Sequence, residues 1–128
     1  MEILHNFKEF WPFYVGEHRL KLTRRFHFVG TLIVIVLVIL SFRFSAYLLL
    51  AAPITGYGFA WYAHFFIEKN RPATFTYPVW SLIADFKMFA LMVAGKMDQE
   101  VNCCSLLQQN RKQQAEQCDL PPIRGNPD

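Results

Sequence analysis

Two long apolar runs separated by a single arginine constrain this chain more than any other feature of its sequence. The first extends from Phe26 to Phe42 and the second from Phe44 to Ile67, with Arg43 between them. At about 1.5 Å per helical residue, the first run only just covers a hydrocarbon core of roughly 30 Å. We therefore predict a transmembrane helical hairpin with Arg43 at its turn. The shortness of the first run leaves a shallower re-entrant hairpin as the alternative.

The composition favours a membrane protein over a soluble globule. Hydrophobic residues make up 53% of the 128 residues, which is too apolar for a soluble domain of this size. The formal net charge is +3 and there is no recognisable nucleic-acid-binding motif, so we expect anionic membrane lipids and not nucleic acid as partners. Basic residues precede the first run and follow the second at Lys69 and Arg71. Both termini should therefore face the cytoplasm if the hairpin spans a bacterial inner membrane or the endoplasmic reticulum.

Two further helices are expected beside the hairpin. The first 25 residues carry apolar side chains at helical spacing among charges, which is typical of an amphipathic helix on a membrane surface, although Pro12 should break or restart it. Pro78 opens a third apolar helix that extends to about Gly95. Because Asp85 and Lys87 lie within it, we expect this helix to insert only partly or to pack on the hairpin.

Three of the four histidines are predicted to meet at one end of the hairpin. His27 opens the first run and His64 closes the second, so a hairpin returns both to one membrane face, and His18 lies just upstream on that side. On one continuous helix, nine positions would turn through about 900° and leave His18 and His27 on opposite faces. The chain must therefore bend between them, and Thr23 is the expected N-cap of the helix after the bend. His5 has no such placement and is interpreted as a surface residue.

A carboxylate lies one helical turn from His64. Glu68 follows His64 by four positions, which puts both on one helix face. Imidazole and carboxylate together suit iron, zinc or copper, and Asp85 is the alternative carboxylate. In the competing interpretation, His64 anchors the helix at the headgroups and Glu68 pairs with Lys69 or Arg71. Three histidines with one carboxylate fit a non-haem iron site better than haem or an iron–sulfur cluster.

The motifs in and around these segments resemble those of one family. They are Glu17-His18, His27 with Gly30-Thr31, Gly56-Tyr57-Gly58, Trp61, His64, Glu68, Asn70-x-Pro72-Ala73-Thr74, Pro78, Ser81, Asp85 and Met88. The combination resembles the short bacterial-type members of the membrane 2-hydroxy fatty acid dioxygenase family, over roughly Phe7 to Gly95. The segment after Lys96 lies outside the resemblance.

The resemblance implies an iron(II)-dependent α-oxidation, in which a 2-hydroxy fatty acid and dioxygen give a fatty acid one carbon shorter. In fungal relatives this reaction serves the degradation of the phytosphingosine long-chain base at the endoplasmic reticulum. The expected cofactor is Fe(2+), held by the catalytic residues His18, His27 and His64 together with Glu68. The acyl tail would lie between the apolar helices while its carboxylate and 2-hydroxyl reach the metal at headgroup level.

Further polar residues are candidates for supporting roles. Four arginines could hold the substrate carboxylate through a bidentate pair. They are Arg19, Arg24, Arg25 and Arg71. Five other side chains could orient the metal ligands. They are Tyr57, Asn70, Thr74, Ser81 and Asp85.

The predicted fold is therefore all-α, with a membrane-embedded metal-binding domain at residues 1–96. Residues 97–128 form a polar segment that is expected to be a flexible tail or a short exposed helix. This segment contains Cys103, Cys104 and Cys118 without the partners of a zinc site, so we interpret them as ordinary thiols. Palmitoylation of the adjacent pair is a minor alternative.

A second hypothesis predicts the same fold but no catalytic activity. The small size of the chain, and Gly56 and Gly58, which allow close helix packing, are also typical of a non-catalytic membrane scaffold or assembly protein. A scaffold predicts no stoichiometric metal, whereas a dioxygenase requires one. An oligomer is compatible with both hypotheses.

Overall fold

Five α-helices make up most of the computed structural model, which describes residues 4–118 and contains no β-strand within that range. The helices are α1 (Phe7–Gly16), α2 (Lys21–Arg43), α3 (Leu48–Tyr62), α4 (Pro78–Val93) and α5 (Met97–Cys118). A π-helical turn, Ala63–Glu68, continues α3, and a short 3-10 turn, Ala73–Phe75, precedes α4. The prediction of an all-α fold is confirmed for the described residues.

α2 and α3 pack side by side as an antiparallel pair joined by residues 44–47. The pairing is close because glycines lie at the contact. A Cβ atom added to Gly30 would lie 2.8 Å from the Cβ of Phe59, and one added to Gly56 would lie 3.1 Å from Cγ2 of Val34. Small residues at these positions let the two backbones approach and bring the start of α2 next to the end of α3.

α2 is the one helix among residues 4–118 that is both long and apolar enough to cross a membrane. Its 23 residues measure roughly 35 Å. It starts at Lys21, upstream of the predicted Phe26, so the helix extends beyond the apolar run at its basic end. α3 has 15 residues and contains Pro53. The crossing of the membrane by both helices stays a prediction.

α1 is amphipathic, but its apolar face packs inside the protein. Asn6 accepts a hydrogen bond from the backbone N–H of Glu9 and so caps the helix. Phe10 and Tyr14 of α1 are buried in a cluster with Met88 of α4 and Met97 of α5. α1 continues through Pro12, contrary to the predicted break, since the aromatic side chains on either side are held in this core. The expected contact of its apolar face with lipid is replaced by contact with α4 and α5.

α5 contains residues 97–118 of the polar segment, and it contacts α1. Trp11 Nε1 donates to Glu100 Oε1 at 2.6 Å, and Gln108 Nε2 donates to the carbonyl of Pro12 at 2.7 Å. The helix has 22 residues, so it is longer than the predicted short helix. Residues 119–128 of the predicted tail and the side chain of Cys118 lie outside the described part of the chain. The division into domains at residue 96 stays a prediction.

Candidate metal centre

The bend between α1 and α2 is built by a carboxylate from a distant part of the chain. Glu68 accepts hydrogen bonds from the backbone N–H groups of Arg19 and Leu20 at 3.0 and 3.3 Å, and from Oγ1 of Thr23 at 2.5 Å. It thereby caps α2, whose first residue is Lys21. The predicted N-cap role of Thr23 is wrong, because the helix starts upstream of it and Glu68 supplies the capping acceptor instead.

Arg24 fixes the same bend from inside the protein. Arg24 is only 4% exposed. Its Nη1 donates to the carbonyls of His18 and Arg19 at 2.9 and 2.7 Å. Nη2 bonds Asp98 of α5 at 3.2 Å. These bonds hold the carbonyls that the bend leaves without helical partners. The guanidinium that the sequence suggested for substrate binding is therefore already engaged by the protein.

His18, His27 and His64 come together at this bend. All three are buried, and one ring nitrogen from each lies within 4.8 Å of the others. Nε2 of His18 is 3.1 Å from Nε2 of His27. The convergence that the hairpin and the bend predicted is present in the structure, and the exposed His5 lies outside the group.

The protonation of the three rings follows from the partners of their Nδ1 atoms. Nδ1 of His18 lies 2.7 Å from the carbonyl of Tyr14, and Nδ1 of His27 lies 3.0 Å from Oδ1 of Asp85. Both partners only accept hydrogen bonds, so each Nδ1 carries the proton. In the neutral rings, the unprotonated Nε2 atoms therefore face the centre of the cluster.

His64 is held in the same way by Asn70. Nδ2 of Asn70 donates to the carbonyl and the carboxylate of Glu17, so its Oδ1 is left to accept from Nδ1 of His64 at 2.7 Å. The local backbone makes this contact possible, because Lys69 ends the π-helical turn with a φ of +58° and turns Asn70 back towards His64. The third Nε2 is thus also free of a proton.

This donor set fits a divalent transition metal. Burial, followed by the proximity of His27 and His64, holds the pKa of His18 well below its ordinary value, so its ring is neutral at pH 7. With both Nδ1 atoms protonated, the Nε2 lone pairs of His18 and His27 face each other at 3.1 Å, and a cation bound between them would stabilise this arrangement. Neutral imidazole with its second nitrogen hydrogen-bonded is the usual form of a metal-binding histidine.

The comparison with known families agrees with this geometry. A family model described as 2-hydroxy-palmitic acid dioxygenase Mpo1-like matches residues 4–97. The chain belongs to the Mpo1-like family. The family resemblance read from the sequence is confirmed, and the description of the family names a dioxygenase of lipid metabolism. No curated protein and no solved structure matches the chain.

Tyr14 is the residue of this Mpo1-like centre that sequence reasoning missed. Its ring stacks on His18 with centroids 4.1 Å apart, its carbonyl accepts from His18, and its hydroxyl donates to Asp85, which holds His27. Its spacing from His18 is four positions, the one signal in the sequence that could have indicated contact along a helix. Read alone, Tyr14 is indistinguishable from the other aromatic residues of α1.

Glu68, predicted as the fourth ligand, does not belong to the group of converging ligand atoms among the described residues. Its two carboxylate oxygens are engaged at the start of α2. Asp85 hydrogen-bonds His27 on the side away from the cluster, through Nδ1. In this Mpo1-like chain, three nitrogens and no carboxylate oxygen converge in the described structure.

The remaining candidates lie around the centre with different surroundings. Tyr57 lines a cavity together with His27 and Asp85. Ser81 is buried, and its Oγ has no hydrogen-bond partner among the described residues. Thr74 is half-buried and makes no hydrogen bond to the three histidines in the described structure. Arg19, Arg25 and Arg71 are exposed.

Proposed function

We propose that this chain is an iron(II)-dependent dioxygenase that shortens 2-hydroxy fatty acids by one carbon at a membrane. The observation that carries the proposal is the orientation of the three buried histidines, whose Nε2 lone pairs converge while each Nδ1 proton is held by an acceptor. Membership of the Mpo1-like family supplies the substrate class. His18, His27 and His64 are the proposed ligands and catalytic residues.

The chain's own residues would set the geometry and strength of such a site. Asp85, Asn70 and the carbonyl of Tyr14 orient the rings and increase the basicity of their free nitrogens. When bound, iron(II) would supply open coordination positions for a chelating 2-hydroxy acid and dioxygen. Glu68 remains a possible ligand only if it leaves the cap of α2, so a site of three histidines is the simpler proposal.

The proposed reaction balances without a further reductant. The bond between C1 and C2 of the 2-hydroxy acid breaks, C1 leaves as carbon dioxide, and C2 becomes the carboxyl carbon of the shortened acid. Three electrons leave C2 and one leaves C1, and dioxygen takes up all four. Overall, one 2-hydroxy acid and one dioxygen give one shorter acid, one carbon dioxide and one water. The burial of the three histidines helps to keep bulk water from this chemistry.

The apolar surface supports a membrane location. Phe42, Phe44 and Tyr47, at the end of the hairpin far from the histidines, are between 73% and 86% exposed. Large apolar side chains exposed together in this way are typical of contact with lipid or with another protein. Basic residues lie at the histidine end, where they would meet anionic headgroups: Lys21, Arg25, Lys69 and Arg71. We therefore propose that the metal site lies at headgroup level, with both termini on the cytoplasmic side if the hairpin spans.

The substrate carboxylate needs a cation at this same level. Arg24 is bonded to two carbonyls and Asp98, so it is unsuited to the role in this arrangement. Arg19, Arg25 and Arg71 are exposed and keep the role proposed from the sequence. Arg71 also lies over the ring of Phe75, at 5.5 Å from its centroid, which would limit its freedom to reorient.

The test is a combined metal and oxygen measurement on protein purified in detergent. Protein loaded with iron(II) should contain about one iron per chain by elemental analysis and should consume oxygen when 2-hydroxypalmitate is added. Mass spectrometry should find the acid with 15 carbons. A non-catalytic scaffold would contain no stoichiometric metal, and iron-loaded protein without turnover of any 2-hydroxy acid would refute the proposed reaction.

A further inference from the structure

A cavity of about 240 Å³ opens beside the histidine cluster and lies among α2, α3 and α4. His27 and Asp85 form its polar end. The walls away from this end are mainly apolar and include Ala52 and Gly56 of α3 and Leu82 and Phe86 of α4. The cavity therefore connects a candidate metal ligand with an apolar space between helices.

Small residues of α3 create this space. Ala52 is 5% exposed and Gly56 has no side chain, so α3 contributes little volume where it faces the cavity. A Cβ added to Gly56 would already come within 3.1 Å of Val34 on α2. Replacing Ala52 with a large side chain should therefore fill the cavity, since the closely packed α2 leaves it few alternatives.

We propose that this cavity receives the first carbons of the acyl chain, and that Ala52 and Phe86 set how much of the chain it accepts. The inference rests on the proposed function, because the cavity is an acyl site only if the carboxyl end of the substrate is held at the histidines. A free 2-hydroxy acid matches this arrangement: its carboxylate is held at the histidines, its 2-hydroxyl can donate to the Asp85 carboxylate, and its methylenes fit the apolar walls.

The size of the cavity limits how much of a long chain it can enclose. Its volume lies below the roughly 300 to 1,000 Å³ of pockets that enclose a drug-sized ligand. The remaining methylenes would leave between α3 and α4 and lie against Leu82, an apolar side chain that is itself 54% exposed. Beyond the cavity, the acyl chain would lie in lipid, which is an apolar surrounding like the cavity walls.

A specific dependence on chain length follows. Each methylene that enters the cavity from water should improve binding about fourfold. Methylenes that remain in lipid should add little. For 2-hydroxy acids of increasing length, kcat/KM should therefore rise steeply and then level off once the cavity is full.

The test compares this profile in the unmodified protein and in three variants. Ala52→Phe, which fills the cavity, should lower the ratio of kcat/KM for 2-hydroxypalmitate to that for 2-hydroxybutanoate by roughly tenfold or more. Phe86→Ala, which enlarges the cavity, should move the plateau to longer chains. Ala51→Phe is the matched control, since Ala51 is half-buried, lies about 100° around the helix and does not line the cavity. Its profile should not change, and iron content measured on every variant reports an intact centre.

A binding measurement separates this inference from the proposed reaction. A 2-hydroxy fatty acid with a photoreactive diazirine on an early methylene should label peptides of α3 and α4, and Ala52→Phe should remove that labelling. Labelling of this pattern without oxygen uptake supports the acyl site and refutes the reaction. Oxygen uptake with a chain-length profile that neither Ala52→Phe nor Phe86→Ala alters refutes the acyl site, as does labelling that is equal in Ala52→Phe and Ala51→Phe.

Discussion

The two ends of the α2–α3 pair invert the usual distribution of polar and apolar side chains. At the histidine end, polar side chains such as His18 and Thr23 are fully buried. At the other end, Phe42 is 86% and Tyr47 is 81% exposed. In water this arrangement is unfavourable at both ends, because buried polar groups need partners and exposed rings lose the hydrophobic contribution. The proposed function accounts for this difference, since it requires a buried polar site at one end and contact with lipid at the other, and experiments can address each end separately.

The largest expected effect, on iron content and oxygen uptake, comes from substitutions at the histidine end. Substitution of His18, His27 or His64 by alanine should abolish iron retention and oxygen uptake, because each ring supplies one of three converging nitrogens. Elemental analysis of the purified variants gives the result directly. His5→Ala is the control, since His5 is exposed and outside the cluster, and it should keep both iron and activity. Loss of iron in His5→Ala with retention in His18→Ala would show a differently built site.

The second effect concerns the bend that positions His18. Arg24→Met removes the charged donor to the carbonyls of His18 and Arg19, which should lower the free energy of unfolding by about 2 kcal/mol or more and weaken iron binding by roughly 10-fold to 100-fold. Denaturation in detergent and a metal competition assay measure the two quantities. Arg25→Met is the matched control at the next, exposed position and should change neither. Equal iron affinity in both variants would mean that the bend does not depend on Arg24.

The histidine cluster and Arg24 also show which features of the site could be predicted from the sequence and which could not. The meeting of the histidines followed from helix length, hairpin topology and the need for a bend, which are all local or periodic properties. The burial of Arg24 could not be predicted in this way, because its partners are two backbone carbonyls exposed by the bend and Asp98 on α5. A basic residue before an apolar run is interpreted as a contact with lipid headgroups unless the path of the backbone is known.

Glu68 and Tyr14 are two further residues whose partners could not be predicted from the sequence. The spacing of Glu68 from His64 predicted proximity along a helix, but the π-helical turn changes the rotation per residue there, and the carboxylate caps α2. Tyr14 has an ordinary aromatic position in an amphipathic helix, yet its hydroxyl and carbonyl serve two different histidines through contacts 71 and 4 positions apart. Periodicity identifies the face of a helix, whereas the partner on that face depends on tertiary packing.

A smaller effect is expected from Glu68, and it distinguishes a cap from a ligand. Glu68→Ala should lower the free energy of unfolding by about 1 to 2 kcal/mol, because two N–H groups at the start of α2 lose their acceptor, while most of the iron is retained. Glu68→Gln keeps an acceptor and should lose less stability. If Glu68 instead ligates iron, Glu68→Ala would lose the metal while the apoprotein stayed as stable as the unmodified apoprotein.

At the opposite end of the pair, substitutions should leave the centre unaffected. Phe44→Ser changes a ring that is 73% exposed, so the stability of detergent-purified protein should change by only about 0.5 kcal/mol and the iron content not at all. Partitioning into lipid vesicles should decrease, because an apolar contact with lipid at the membrane interface is lost. Phe10→Ser, on a fully buried ring of the α1 core, is the contrasting variant and should destabilise the protein strongly. Similar stability losses in both variants would mean that the exposed end packs against protein and not against lipid.

The last prediction concerns the position of this exposed end relative to the membrane and requires no change at the centre. In a background where Cys103, Cys104 and Cys118 are replaced by serine, single cysteines at Arg43 and Arg71 mark the two ends of the pair. α2 measures roughly 35 Å, enough to cross a hydrocarbon core of roughly 30 Å, so a spanning pair places the two cysteines on opposite sides. A membrane-impermeant maleimide added to sealed vesicles should then label one and not the other until the vesicles are opened. Labelling of both from the same side would replace the spanning pair with a re-entrant one.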